Sequence, residues 1–166
     1  LGRGTRIDRV ERLKIWSVFE QYKAKLAEAG VVEWIDVIRK TREYIEKKNF
    51  APFYETVIVD ECQDFHPEEL KLLRRIVAPG RNDLFLVGDA HQRIYGQRVA
   101  LNQQGINIRG KRSRKLRMNY RTTEEIRRLG SRILKNQPID DLDGGTETEN
   151  NFHSLMHGES PTIKCF

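Results

Sequence analysis

Two hydrophobic runs in this sequence end on carboxylates. Thr56-Val57-Ile58-Val59-Asp60 leads into Glu61, and Leu84-Phe85-Leu86-Val87 leads into Gly88-Asp89. An Asp-Glu pair at the end of a buried strand suits nucleotide hydrolysis. Asp60 can hold Mg²⁺ through water, and Glu61 can orient and deprotonate the attacking water. An isolated Asp-Glu at a strand end more often only caps the next turn, so the pair has to be weighed with its surroundings. Between 90 and 123 the chain carries Arg93, Arg98, Arg109, Lys111, Arg112, Arg114, Lys115, Arg117 and Arg121 and no acid. Such a stripe suits a polyanion, phosphate above all; the plain alternative is a solvated loop. His153 and His157 stand four apart, but Gly158 and the missing third ligand favour an ordinary histidine pair over a zinc site. Cys62 reads as a small packing residue.

The elements that must position these residues can be read from hydrophobic spacing. Ile7, Val10, Leu13, Trp16, Phe19, Tyr22 and Leu26 predict a helix whose aromatics enter a core, stopped at Gly30. Trp34, Val37, Ile38, Thr41 and Ile45 predict a second helix, ending near Asn49. The run at 56–60 predicts a strand covered on both faces. Pro67-Glu68-Glu69 then opens a helix with a stripe of Leu70, Leu73, Ile76 and Val77, stopped by Pro79-Gly80. With the run at 84–87 this makes a strand–helix–strand unit, with parallel strands, a right-handed crossover and both carboxylate clusters at one sheet edge. In open α/β sheets that carboxyl edge is where ligands bind. Further on, 115–118 reads as a short strand and Thr122-Thr123-Glu124-Glu125 as a capping box opening a helix through Leu134. The stretch 140–151 reads as an acidic linker or exposed loop, and 161–166 as one more strand.

Composition narrows the class. The chain has 166 residues, 30 Lys plus Arg against 24 Asp plus Glu, a formal charge of +6 and 38% hydrophobic residues. That fits one domain, or pieces of two, with a modest core. The charge is uneven, since 137–160 holds six acids and no Lys or Arg. No run of eighteen apolar residues and no apolar leader follow Leu1, which disfavours membrane spanning and secretion. Cys62 and Cys165 form no CxxC pair, so a reducing compartment is expected. A start at Leu rather than Met is what an internal fragment would show.

Three strings carry a resemblance: Val57-Ile58-Val59-Asp60-Glu61-Cys62-Gln63-Asp64, then Val87-Gly88-Asp89-Ala90-His91-Gln92-Arg93-Ile94-Tyr95-Gly96, then Leu116-Arg117-Met118-Asn119-Tyr120-Arg121-Thr122-Thr123. Their order and spacing strongly resemble the UvrD/Rep-type DNA helicases of superfamily one over 53–134, with weaker similarity at Val32-Glu33-Trp34-Ile35-Asp36. The resemblance implies an α/β fold: part of a RecA-like P-loop NTPase motor domain, parallel strands with flanking helices, preceded by a helical segment. It implies residues 1–50 as that helical segment, returning from an accessory insertion, 51–135 as the second half of the ATPase domain, and 136–166 as an acidic linker and the start of a second motor domain.

By the same resemblance Asp60 would be the magnesium aspartate and Glu61 the catalytic base. Gln92 would sense the γ-phosphate and relay its state to the DNA site. Arg121 would contact the γ-phosphate as an arginine-finger-like group, Tyr120 would stack on adenine, and Tyr95 and Arg98 would face single-stranded DNA. ATP and Mg²⁺ are the implied cofactors. Single-stranded DNA and the remaining parts of a parent motor are the implied partners, with a cytoplasmic location and 3′ to 5′ travel. The plain readings are Tyr95 and Tyr120 as half-buried packing residues and Arg121 as a surface charge.

Two departures from the family stand out. Gln97 occupies the place where many members carry a base-stacking Trp. The Gly-rich loop ending in Gly-Lys-Thr or Gly-Lys-Ser, expected upstream, is not in this sequence, and neither are the later motifs of the second motor domain. Gly105-Ile106-Asn107-Ile108-Arg109-Gly110-Lys111-Arg112 mimics that loop, but Arg112 stands where a hydroxyl must reach Mg²⁺. The expectation is a fragment of an ATP-dependent helicase, without ATPase activity in isolation. The alternatives are a nucleic-acid-binding module with inert carboxylates, and, ranked last, a metal nuclease using Asp60, Glu61, Asp64 and Asp89.

Overall fold

The computed structural model describes residues 7–93, 99–133, 141, 142, 145 and 152–163. Two helices come first. In α1 (Arg9–Glu28) the Asp8 carboxylate accepts the Glu11 amide at 2.8 Å, and the Glu11 carboxylate accepts the Asp8 amide at 3.2 Å, a reciprocal cap. Gly30, at φ 66, turns the chain into α2 (Trp34–Lys47). Contrary to the expectation from spacing, α1 buries no residue, and Trp16 is 62% exposed. The spacing itself is the reason. Val10, Leu13, Trp16, Phe19 and Tyr22 recur every third residue, so each falls about 60° behind the last and the row winds around the helix.

The first sheet pairs β1 (Val57–Val59) with β2 (Leu84–Leu86) in parallel, Val57 opposite Leu84, Ile58 opposite Phe85 and Val59 opposite Leu86. Between them runs α3 (Pro67–Ile76). The strand–helix–strand unit read from the sequence is thus present. His66 caps α3, accepting the Glu68 amide on Nδ1 at 3.2 Å, while the Glu69 carboxylate accepts the His66 amide at 2.7 Å. Pro67 sits at the first helical position, where no amide proton is needed. An ion pair of Arg42 with Glu68, at 3.0 Å, joins α2 to α3.

Leu70 of α3 is fully buried and clusters with Val99, Leu101 and Ile106, against which Leu73, Leu84 and Leu86 pack. Strand alternation then turns Phe85 away from this core. Phe85 is 60% exposed and its partner Ile58 is 74% exposed, so the sheet is covered on one face, not two as its apolar sequence predicts.

A second sheet pairs β3 (Met118–Thr123) with β4 (His153–Met156), again in parallel, with α4 (Glu124–Ile133) between them. The strand expected at 115–118 therefore begins at Met118 and takes in Asn119, Tyr120 and Arg121. The strand expected at 161–166 is found earlier, as β4; 161–163 is irregular, and 164–166 lie outside the described residues. The capping box does not close, because both glutamates bind elsewhere. Glu124 accepts the Ser154 amide at 2.8 Å, and Glu125 accepts the Gly158 amide at 2.9 Å.

The segment 51–135 thus contributes strands to two separate sheets. Within the acidic stretch, most of which lies outside the described residues, Leu142 packs on the first core cluster, and its carbonyl accepts the Leu101 amide at 3.0 Å.

Candidate active site

Beyond the ends of β1 and β2 the two chains stay in contact. The Val87 amide donates to the Val59 carbonyl at 2.8 Å, and the Cys62 amide donates to the Val87 carbonyl at 2.9 Å. Between these contacts the chain kinks at Glu61, which adopts φ 52 and ψ 39. That left-handed conformation costs a non-glycine residue about 1–2 kcal/mol. Asp60 Oδ1 accepts the Glu61 amide at 2.9 Å and holds the kink. Asp60 and Glu61 are left exposed at the sheet edge, while the following turn, Cys62–Asp64, buries Cys62 and Gln63. Burial pushes the Cys62 thiol up to about 11, which keeps it neutral and unreactive.

Gln63 connects the two strand ends. Its Nε2 donates to Glu61 Oε2 at 2.7 Å, and its Oε1 accepts the Asp89 amide at 2.9 Å. Its backbone carbonyl accepts from Arg93 Nε at 3.3 Å. Asp89 in turn organises the segment after β2. Its Oδ1 accepts the His91 amide at 2.9 Å, and its Oδ2 accepts from Gln92 Nε2 at 3.0 Å. Gly88 makes this approach possible, because a Cβ there would stand 2.6 Å from Cys62 Sγ and 2.9 Å from Gln63 Oε1.

The structure places Asp60 and Glu61 after β1 and Gln92 after β2, linked through Gln63 and Asp89, whose linking roles were not read from the sequence. The one signal in the sequence was an amide-bearing residue within the acidic motif; its contact partner lies 26 positions away.

Tyr120 and Arg121 lie apart from this cluster, on β3 of the other sheet. Asn119 Oδ1 accepts the Arg121 amide at 2.8 Å, and Asn119 Nδ2 donates to Thr122 Oγ1 at 2.6 Å, which stiffens the strand. Tyr120 is 68% exposed rather than half-buried. Tyr95 and Arg98 lie outside the described residues.

The donor set fits Mg²⁺. One Asp60 oxygen is held by the Glu61 amide, and the carboxylate is solvent-facing. Mg²⁺ asks for one or two carboxylates, retained water and substrate phosphates rather than a protein cage. Among the described residues no three His, Cys, Asp or Glu side chains converge on one metal position, so the four-carboxylate nuclease cluster is not assembled.

His153 lies on β4, and His157 pairs with Glu125 at 3.1 Å, so the two histidines serve no common site. The loop mimic at 105–112 runs from one 3-10 turn, Leu101–Gln104, to another, Gly110–Arg112, without the strand and helix that a phosphate loop joins. Among the described residues no helix is long and apolar enough to cross a membrane.

Known proteins resemble this chain over much of its length. Residues 4–111 match the family model described as the UvrD/REP helicase N-terminal domain. The mitochondrial ATP-dependent DNA helicase HMI1 of Saccharomyces cerevisiae is 35% identical over 154 residues, covering 79% of this chain and 21% of that protein. DNA helicase II of Haemophilus influenzae is 28% identical over 137 residues, covering 78% and 19%. DNA helicase II of Escherichia coli is 27% identical over 128 residues, covering 72% and 18%. The chain therefore spans about a fifth of the length of these relatives. The family match over residues 4–111, more than half of the chain, leads to one assignment: this chain belongs to the UvrD/REP helicase family.

Proposed function

We propose that the chain is part of an ATP-dependent DNA helicase that couples ATP hydrolysis to movement along single-stranded DNA, 3′ to 5′ by resemblance. The observation that carries this reading is the meeting of Asp60, Glu61 and Gln92 at the carboxyl edge of a parallel strand pair. Asp60 would hold Mg²⁺, which supplies charge neutralisation on the phosphates when bound. Glu61 orients and deprotonates the attacking water, and Gln92, tethered to Asp89, faces the γ-phosphate. Tyr120 stacks on adenine and Arg121 reaches the γ-phosphate when the two sheets close on nucleotide. Tyr95 and Arg98 contact the DNA strand. The proposed location is cytoplasmic.

Residues 1–50 are proposed as the helical segment of this motor and the first sheet as part of its RecA-like ATPase domain. Residues 51–135 are proposed as the second half of that ATPase domain, and 136–166 as an acidic linker and the start of a second motor domain. In the complete parent protein, Glu61→Gln lowers ATP turnover by about 10²–10⁴-fold and spares nucleotide binding. Unchanged turnover would overturn the assignment.

One observation favours a second reading for the isolated chain, a nucleic-acid-binding module without catalysis. Lys111, Arg112, Arg114 and Arg117 are exposed and make no ion pair among the described residues.

A further inference from the structure

Gln63 is a polar side chain with 4% of its surface accessible, placed directly beneath the exposed Glu61. Its amide can be oriented in only one way if both contacts are to be hydrogen bonds: Nε2 toward the carboxylate and Oε1 toward the Asp89 amide. Reversed, an oxygen would face the Glu61 carboxylate and an NH₂ would face an N–H. The amide is therefore read in both directions, and it joins a residue after β1 to one after β2. The same Asp89 fixes the Gln92 side chain. Gly88 leaves the room that this bridge occupies.

We infer that Gln63 is a positioning residue, which sets the Glu61 carboxylate and locks it to the turn that carries Gln92. The inference rests on Glu61 being the catalytic base. Glu61 sits in a left-handed backbone conformation on an exposed kink, and its side chain has no other hydrogen-bond partner among the described residues. Without the 2.7 Å bond from Gln63 the carboxylate samples several rotamers, of which few aim at an attacking water. Gln63 touches neither water nor phosphate in this scheme; it acts through Glu61.

The test is single-stranded-DNA-stimulated ATPase of the complete parent protein carrying Gln63→Glu or Gln63→Met. Active sites are counted by stoichiometric titration with a fluorescent ATP analogue, so that unfolded molecules do not enter kcat. Gln63→Glu keeps the acceptor for the Asp89 amide and places a like-charged oxygen against Glu61; Gln63→Met removes both bonds. The expected result for each is a fall in kcat per site of about 10- to 100-fold with KM for ATP little changed. In a Glu61→Gln background, Gln63→Met leaves the residual single-turnover rate unchanged, because no base remains to be positioned. Unchanged kcat per site, or the same loss in both backgrounds, would overturn the inference and leave Gln63 a structural residue. Full turnover by Glu61→Gln alone would instead remove the functional reading on which it rests.

Discussion

Gly88 shows how tightly the site residues are packed. The space that its missing Cβ leaves is already taken by Cys62 Sγ and Gln63 Oε1, both within 3 Å of that position. Gly88→Ala is expected to lower stability by about 1–3 kcal/mol in urea unfolding at neutral pH, through overpacking. Gly130, in α4, has no atom within 4 Å of a built Cβ. There alanine should raise stability by about 0.5–1 kcal/mol, since only helix propensity changes. At this scale the acids were legible: Asp60, Glu61 and Asp89 end apolar runs, and a charge at that point must leave the core for the sheet edge. Gln63 was not legible, because an amide declares its role only through the distant atom that it meets.

The helices and strands divide in the same way. The order strand, helix, strand followed from apolar runs punctuated by Pro79-Gly80, and β1, α3 and β2 form accordingly. The letters Thr-Thr-Glu-Glu pointed equally well to a capping box, yet Glu124 and Glu125 reach 30 and 33 residues forward to stitch α4 to the segment around β4. Hydrogen bonds to Arg127, the Ser154 amide and Arg128 hold the buried Glu124 carboxyl far below the usual carboxylate range. The Gly158 amide first, then the residue's own backbone amide and His157, hold Glu125 at about 2, down from 4.5. A carboxylate whose folded value is depressed stabilises the fold above its unfolded value and loses that contribution as the folded form takes up its proton. The β3–α4–β4 unit should therefore keep its full stability above about pH 4.5 and lose it as the pH falls toward 2. Urea midpoints across that range would show this loss, and Glu125→Gln should start lower at neutral pH and change less with acid.

For the molecule as a whole, exposed charge and exposed apolar surface matter more than the core. Among the described residues Trp16, Phe19, Ile58 and Phe85 leave large apolar side chains exposed. The isolated chain is expected to bind single-stranded DNA through Lys111, Arg112, Arg114 and Arg117. Four phosphate contacts give a log–log salt slope of about −3. Replacing the four by Gln should bring the slope toward zero. The same preparation should show no ATPase activity, since its 166 residues contain no Gly-Lys-Thr or Gly-Lys-Ser loop. Salt-independent binding, or robust hydrolysis, would contradict these two expectations.

The sequence by itself determined what depends on neighbours along the chain: the element order, the helix stops, the basic run, and the carboxylates at two strand ends. Tertiary structure decided which apolar faces are covered, that Tyr120 and Arg121 belong to a second sheet, and that Gln63 joins Glu61 to Asp89. Those outcomes turn on contacts between residues far apart in sequence, where burial and hydrogen-bond geometry depend on the neighbour that arrives rather than on the residue that waits.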